Sequence, residues 1–305
     1  MIEARHLSKI YGNTHAVNDL SFDVEPGVVT GFLGPNGSGK STTLRMIMGL
    51  DRPSEGSVSI DGRSFHDLRW PLREVGALLD AKALHPGRSA HNHLLALAQS
   101  NSIPKKRVDD VLEIVGLSAV AKRKVGKFSL GMSQRLGIAG ALLGDPGVLL
   151  FDEPINGLDP EGILWVRTLL KTLAAEGRTI FFSSHLMSEM AQTATNLVVI
   201  GRGELIADTS VENFISSNTE ASVLVRTPNA DALRAAITAA GGIATVQKDG
   251  ALVVTKLDAA AIGDAALQAG AALHELTPQT ASLEEVFMEM TAESSEYSST
   301  TEGSA

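Results

Sequence analysis

The stretch that decides the fold is Gly34-Pro35-Asn36-Gly37-Ser38-Gly39-Lys40-Ser41-Thr42, GPNGSGKST. Three glycines and a lysine within nine residues make poor core material. They fit the pattern G-x-x-x-x-G-K-[ST], running from Gly34 to Ser41. Without Cβ atoms, the backbone can curl until successive N–H groups point into one concavity, which suits phosphate oxygens. Lys40 is then placed to reach the outer phosphates of a nucleotide, and the Ser41 hydroxyl to ligate Mg²⁺. The plain alternative is a glycine-rich turn that binds nothing. The flanks favour the cradle. Val28 to Leu33 reads as a strand, and KSTTLRMIMGL has helical spacing up to Gly49, so a helix N-terminus faces the loop.

A second stretch supplies what hydrolysis requires. VLLFDEP, from Val148 to Pro154, is an apolar strand ending in two carboxylates. Asp152 is expected to hold Mg²⁺, and Glu153 is a candidate general base for an attacking water. Alone, this is equally a buried strand with a polar end. The cradle upstream favours the chemical reading.

Around these two stretches the chain alternates strands and helices, which predicts a mainly parallel α/β sheet. A block at about 81–144 reads as helical and interrupts the alternation. NLVVIGRGELIAD predicts a hairpin turning at Gly201-Arg202-Gly203. The composition turns polar near 218 and a boundary is placed there. Beyond it the order strand, helix, strand, strand, helix, strand is the ferredoxin-like signature, with its hairpin at Asp249-Gly250. SLEEVFMEM then predicts a helix, with Ser282 and Glu285 spaced as a capping box. The expected domains are 1–217, an accessory α+β domain at 218–290, and a disordered Ser/Thr/Glu-rich tail at 291–305.

Composition narrows the function classes. The 305 residues carry 26 Lys+Arg against 35 Asp+Glu, a net charge of -9, so no nucleic-acid partner is expected. There is no cysteine, which removes disulfides, thiolate metal sites and a cysteine nucleophile. The N-terminus MIEARHLSKI shows no secretion signal. No apolar run approaches the ~18 residues of a membrane span, so work at a membrane would go through a partner. His91 and His93 read as helix-surface residues, because i, i+2 spacing splits them between helical faces. Lys105, Lys106, Arg107, Lys122, Arg123, Lys124 and Lys127 read as a solvated basic face, with an anionic lipid or partner as the alternative.

Three further segments complete the pattern: FSLGMSQRL (Phe128 to Leu136), NGLD (Asn156 to Asp159) and SSH (Ser183 to His185). In this order, with a helical insertion between cradle and carboxylates, residues 2–215 resemble the nucleotide-binding subunit of an ATP-binding-cassette (ABC) transporter. The resemblance implies a P-loop cassette with a mainly parallel sheet core, an antiparallel β subdomain and a helical subdomain. It implies ATP and Mg²⁺ as ligands, with Gly34 to Thr42 around the phosphates. It also implies that two subunits clamp two ATP molecules head to tail. Ser129 and Gly131 would then bond the γ-phosphate held by the opposite copy, and Asp159 would lie at the seam. His185 would contact the γ-phosphate and orient the water, and Tyr11 would stack on adenine. The plain alternative for Tyr11 is an ordinary strand aromatic, and a lone histidine ending an apolar strand is commonly structural; its place after the other motifs favours a functional His185.

Departures from the family pattern point to one branch. The usual LSGGQ signature is Phe128-Ser129-Leu130-Gly131-Met132 here. Asp80 stands where the family places a glutamine that touches the metal near the groove for the membrane partner. It joins Ser41 and Asp152 in the expected metal environment and Glu153 and His185 in the catalytic set. These features and SLEEVFMEM resemble exporter ATPases of bacterial drug, bacitracin and lantibiotic resistance. Such subunits sit on the cytoplasmic face of the membrane against a separate ABC-2 type permease. The rival within the superfamily is a soluble ATPase acting on a ribosome or other macromolecule, but the chain shows one cassette and no sustained heptads. A GTPase would need an Asn-Lys-x-Asp guanine reader, which is missing. A small-molecule kinase would not need the three further segments.

Overall fold

The computed structural model describes residues 1–217, 222–247, 249–279, 283, 284 and 287. The chain starts with β1 (Ile2–Tyr11), β2 (Thr14–Val24), β3 (Val29–Leu33), α1 (Lys40–Ile47) and β4 (Glu55–Ile60). Next come α2 (Pro71–Glu74), β5 (Val75–Leu78), α3 (Ala90–Ser100), α4 (Lys106–Ile114) and α5 (Leu130–Leu142). Then follow β6 (Val148–Phe151), α6 (Pro160–Ala175), β7 (Thr179–Ser184), α7 (Met187–Thr193), β8 (Asn196–Gly201) and β9 (Glu204–Ser210). After them lie α8 (Val211–Ser217), β10 (Ser222–Arg226), α9 (Ala230–Ala239), β11 (Ile243–Val246), β12 (Leu252–Thr255), α10 (Ala259–Gln268) and β13 (Glu275–Gln279).

Met1 to Val211 form one compact unit and a second begins at Glu212, ahead of the 217/218 division expected from composition. In the first unit, six strands form a sheet in the order β5-β6-β7-β3-β8-β9. All its pairs are parallel except the β8–β9 hairpin. Strands β3, β6 and β7 are buried along their whole length. That is why VLLF and TIFF read as unbroken apolar runs: both faces of a parallel sheet are covered. An antiparallel sheet, β2-β1-β4, lies against this core. Phe22 of β2 meets Phe32 of β3 and Phe181 of β7, with ring centroids 5.9 and 5.5 Å away, which joins the two sheets through one aromatic cluster.

The helical insertion is α3, α4 and α5, entering after β5 and leaving before its parallel neighbour β6. Helix α5 lies unusually close to β5. A Cβ added at Gly76 would sit 2.0 Å from the Ala141 carbonyl oxygen, so only glycine admits the helix at this distance. His93 on α3 departs from the surface reading. Its Nδ1 is buried without a hydrogen-bond partner, whereas His91 makes a loose 3.7 Å contact with Asp109. The basic face is also less free than expected: Arg107 donates to the Leu142 carbonyl and to Asp145, and Arg123 donates to the Lys127 carbonyl.

The second unit has a four-stranded antiparallel sheet in the order β11-β12-β10-β13. Its two central strands are the first and third of the motif, which is the ferredoxin-like arrangement. Val223, Val225, Leu252 and Val254 pack with Leu233 and Ile237 of α9 and Ile262 of α10. The Ser282–Glu285 capping box, the polar link at 218–221 and the tail at 291–305 lie outside the described residues. No helix among the described residues is long and apolar enough to cross a membrane.

Two outcomes follow from this packing. Gly76→Ala should lower stability to urea by about 1–3 kcal/mol through overpacking, while Gly147→Ala, whose Cβ would meet open space, should stay within about 0.5 kcal/mol. Equal midpoints for the two variants would contradict the close α5–β5 approach. Burial, aided by Arg88 and His85, holds the His93 pKa below the ordinary histidine value of 6.5. The unfolded chain therefore takes up the proton first, and stability is lost as pH falls below 6.5 until the folded pKa is passed. His93→Gln should show a smaller loss than the native chain between about pH 7.5 and 5.5; parallel pH profiles would rule this out.

Candidate nucleotide-binding and hydrolytic site

The three buried strands β3, β6 and β7 end at one edge of the sheet, where open α/β folds take their ligands. A cavity of about 520 Å³ lies there. Asn36, Gly37, Gly39, Lys40, Ser41 and Thr42 line it from one side. Asp152, Glu153, Asp80 and Gln134 line it from the others. Gly39 has φ +104, and a Cβ there would lie 2.4 Å from the Ala16 carbonyl oxygen, so the cradle excludes any side chain at this position. Gly34, Pro35 and Ser38 form the back of the loop. Ser38 N donates to the Pro35 carbonyl at 3.2 Å, and the Ser38 hydroxyl is buried at the point where a Cβ on Gly34 would clash with it.

Lys40 is the first residue of α1 and only 7% exposed. Its Nζ donates to the Gly34 and Pro35 carbonyls at 2.6 and 3.1 Å. Burial lowers its pKa below the usual lysine value, opposed by the charges of Glu153 and Asp152. Ser41 Oγ donates to Asp152 Oδ2 at 2.7 Å. Ser183 Oγ, fully buried at the end of β7, donates to Asp152 Oδ1 at 2.5 Å and accepts from Glu153 N at 3.0 Å. Glu153 itself has φ +50, in the left-handed region. His185 Nδ1 lies 2.8 Å from Glu153 Oε2. Cradle, Asp152, Glu153 and His185 are therefore linked by one series of hydrogen bonds.

Asp80 follows β5, and its carboxylate accepts from Lys82 N at 2.7 Å while facing the same cavity. Asp80, Asp152 and Glu153 put three carboxylates around a space with one buried lysine. Oxygen donors of this kind suit a hard divalent cation that keeps waters and phosphate oxygens as its remaining ligands. The adjacent Ser41 Oγ and Asp152 Oδ2 fit such an ion. No group of three or more His, Asp or Glu side chains forms a self-sufficient metal cage among the described residues.

The other expected residues lie outside this cavity. Ser129 caps α5, its hydroxyl accepting from Met132 N at 3.2 Å. Gly131, in the first turn of α5, packs against the backbone at Gly157. Asp159 caps α6, its Oδ1 accepting from Gly162 N at 3.0 Å. Tyr11, at the end of β1, is 47% exposed and donates its hydroxyl to Asp51 Oδ2 at 2.9 Å. Sequence reasoning assigned no role to Ser183 or Gln134. A signal for Ser183 was present: a polar side chain in the buried run TIFFSS must find a partner. Gln134 looked like one more polar residue on a helix, and only the fold shows it to be 3% exposed.

Comparison with known proteins gives the family. Residues 17–156 match the ABC transporter family, and residues 221–284 match a domain of unknown function, DUF8746. The bacitracin transport ATP-binding protein BcrA of Bacillus licheniformis is 42% identical over 72% of this chain and 72% of its own. The uncharacterized ABC transporter ATP-binding protein YhcH of Bacillus subtilis (strain 168) is 35% identical over 97% of each chain. Among solved structures, the ATP-binding cassette MJ0796, a dimer in a post-hydrolysis state bound to ADP and Pi, has a TM-score of 0.64 and 26% identity, covering 69% of this chain and 99% of that one. The chain belongs to the ATP-binding cassette family, as an ATP-hydrolysing subunit of an ABC transporter.

Proposed function

We propose that two copies of this chain clamp two ATP molecules and use their hydrolysis to drive export through a separate ABC-2 type permease, from the cytoplasmic face of the membrane. The observation that carries this reading is the hydrogen-bonded series from Ser41 through Asp152 and Ser183 to Glu153 and His185, of which Ser41, Asp152 and Glu153 line one cavity with Lys40. Relatives described as bacitracin and lantibiotic transport ATP-binding proteins support export. The cargo is set by the permease.

In this reading the cradle N–H groups and Lys40 bind the β- and γ-phosphates. Arrival of the phosphates gives the buried ammonium the anionic partner that two carbonyls only partly replace. Tyr11 offers its open ring to the adenine. Ser41, Asp152 and Asp80 would hold Mg²⁺, which when bound would offset the negative charge of the transferring phosphoryl group. Glu153 takes the proton from water as the water oxygen attacks the γ-phosphorus and the bond to the β–γ bridging oxygen breaks. His185 fixes one carboxylate oxygen of Glu153 and so orients the other.

Ser129, Gly131 and Asp159 lie outside their own cavity, as residues that complete the partner copy's site would. The N-terminus of α5 brings backbone N–H groups and a positive helix end to the opposite γ-phosphate. ATP then acts as a ligand that favours the closed pair, and hydrolysis resets it. Residues 218–290 act as an accessory α+β domain.

Glu153→Gln should keep ATP affinity while turnover falls by about 10²–10⁴-fold, the usual contribution of a general base. With ATP and Mg²⁺ the variant should run as a stable dimer in size exclusion with light scattering. Native turnover, or a monomer at saturating ATP, would refute the assignment.

A further inference from the structure

We infer that Gln134 is a positioning residue that holds the backbone of Glu153, and through it the carboxylate, in the conformation hydrolysis requires. The inference rests on Glu153 as the general base and adds a determinant of that role.

Glu153 has φ +50, a region that side chains with a Cβ occupy only when their surroundings hold them there. Both backbone groups of Glu153 are held. Its N–H donates to Ser183 Oγ at 3.0 Å, and its carbonyl accepts from Gln134 Nε2 at 2.7 Å. The carbonyl also accepts from Asn156 N within its own turn, at a longer 3.2 Å. Ser183 comes from β7 and Gln134 from α5, so two elements far apart in the chain hold one strained residue, one by its N–H and the other by its C=O.

The donor is itself held firmly. Gln134 is 3% exposed, which leaves its amide few rotamers. One helical turn earlier, Leu130 occupies the hollow above Gly157, where a Cβ on Gly157 would lie 2.2 Å from Leu130 Cδ2. Helix α5 is therefore keyed onto the 153–157 loop at two points, one apolar and one polar. Gln134 donates its amide into the loop, and no ligand or metal is needed to explain that contact.

The ordinary alternative is that Gln134 only fills space and satisfies a nearby carbonyl. Methionine has nearly the same length and no donor, so it separates the two roles. In the full-length chain, Gln134→Met should lower kcat by about tenfold or more, since small misplacements of a reacting group cost that much. KM and ATP affinity, read with a fluorescent nucleotide, should stay within about twofold. Gln134→Glu, of the same shape but with an ionised acceptor facing the carbonyl, should lose at least as much. Placed on Glu153→Gln, the methionine change should alter the residual rate by less than about twofold, because the base it positions is already gone.

A native kcat in a folded Gln134→Met variant would overturn the inference while leaving the base assignment intact. So would a raised KM at unchanged kcat, or a full additional loss on top of Glu153→Gln. Should the methionine variant fold poorly, Gln134→Glu gives the same decision from its kcat and KM. A native rate in Glu153→Gln alone would instead remove the base, and with it the reason for positioning it.

Discussion

A buried ammonium group sets the terms for the rest of the molecule. Lys40 is almost wholly enclosed, yet its hydrogen-bond partners are two backbone carbonyls. Glu153 and Asp152 act on it through their charge. Burying a cation without a bonded anion is costly, and its lowered pKa records that cost. The arrangement becomes favourable when an anion enters the cavity, and the curled glycine loop and the N-terminus of α1 prepare the space for phosphate oxygens. The parallel sheet makes this possible. Its buried strands fill the interior with Phe32, Phe151, Phe181 and Phe182, and the carboxylates Asp152 and Glu153 follow directly after β6.

The Ser183 hydroxyl gives that edge its order. By donating to Asp152 and accepting from Glu153 N–H, it holds two neighbouring acidic residues that face different partners. Asp152 is turned toward Ser41 and the cradle, and Glu153 toward His185. Adjacent residues on an extended chain point to opposite sides, so two carboxylates can face one cavity only after the chain leaves the strand. The left-handed conformation of Glu153 makes that departure, and Gln134 and Ser183 support it. Elements built for packing, β7 and α5, thereby set the geometry of the candidate site.

Local chemistry was legible in the sequence and tertiary chemistry was not. The cradle could be read because its glycines answer to a constraint within nine residues. The ferredoxin-like order of the second unit could be read because strands and helices there have clean periods and a turn at Asp249-Gly250. Gln134 was hidden because its partner lies on another element, 19 positions away along the chain. Leu130 in place of the family glycine reads, in the sequence, only as a departure that marks one branch. The structure shows a match to Gly157, a pairing that no local pattern displays. His93 failed for a related reason: i, i+2 spacing describes one helix and says nothing of what packs upon it. The expected division at 217/218 and the observed end of the first compact unit at Val211 differ because composition marks polar linkers, whereas contacts mark where a compact unit ends.

The most direct test of this account is the ATP affinity of Lys40→Ala, measured by titration calorimetry with Mg²⁺ present. Losing one charge-assisted contact with a phosphate should weaken binding by about 10- to 100-fold. Affinity within about twofold of the native chain would show that the enclosed ammonium is not what draws the nucleotide in.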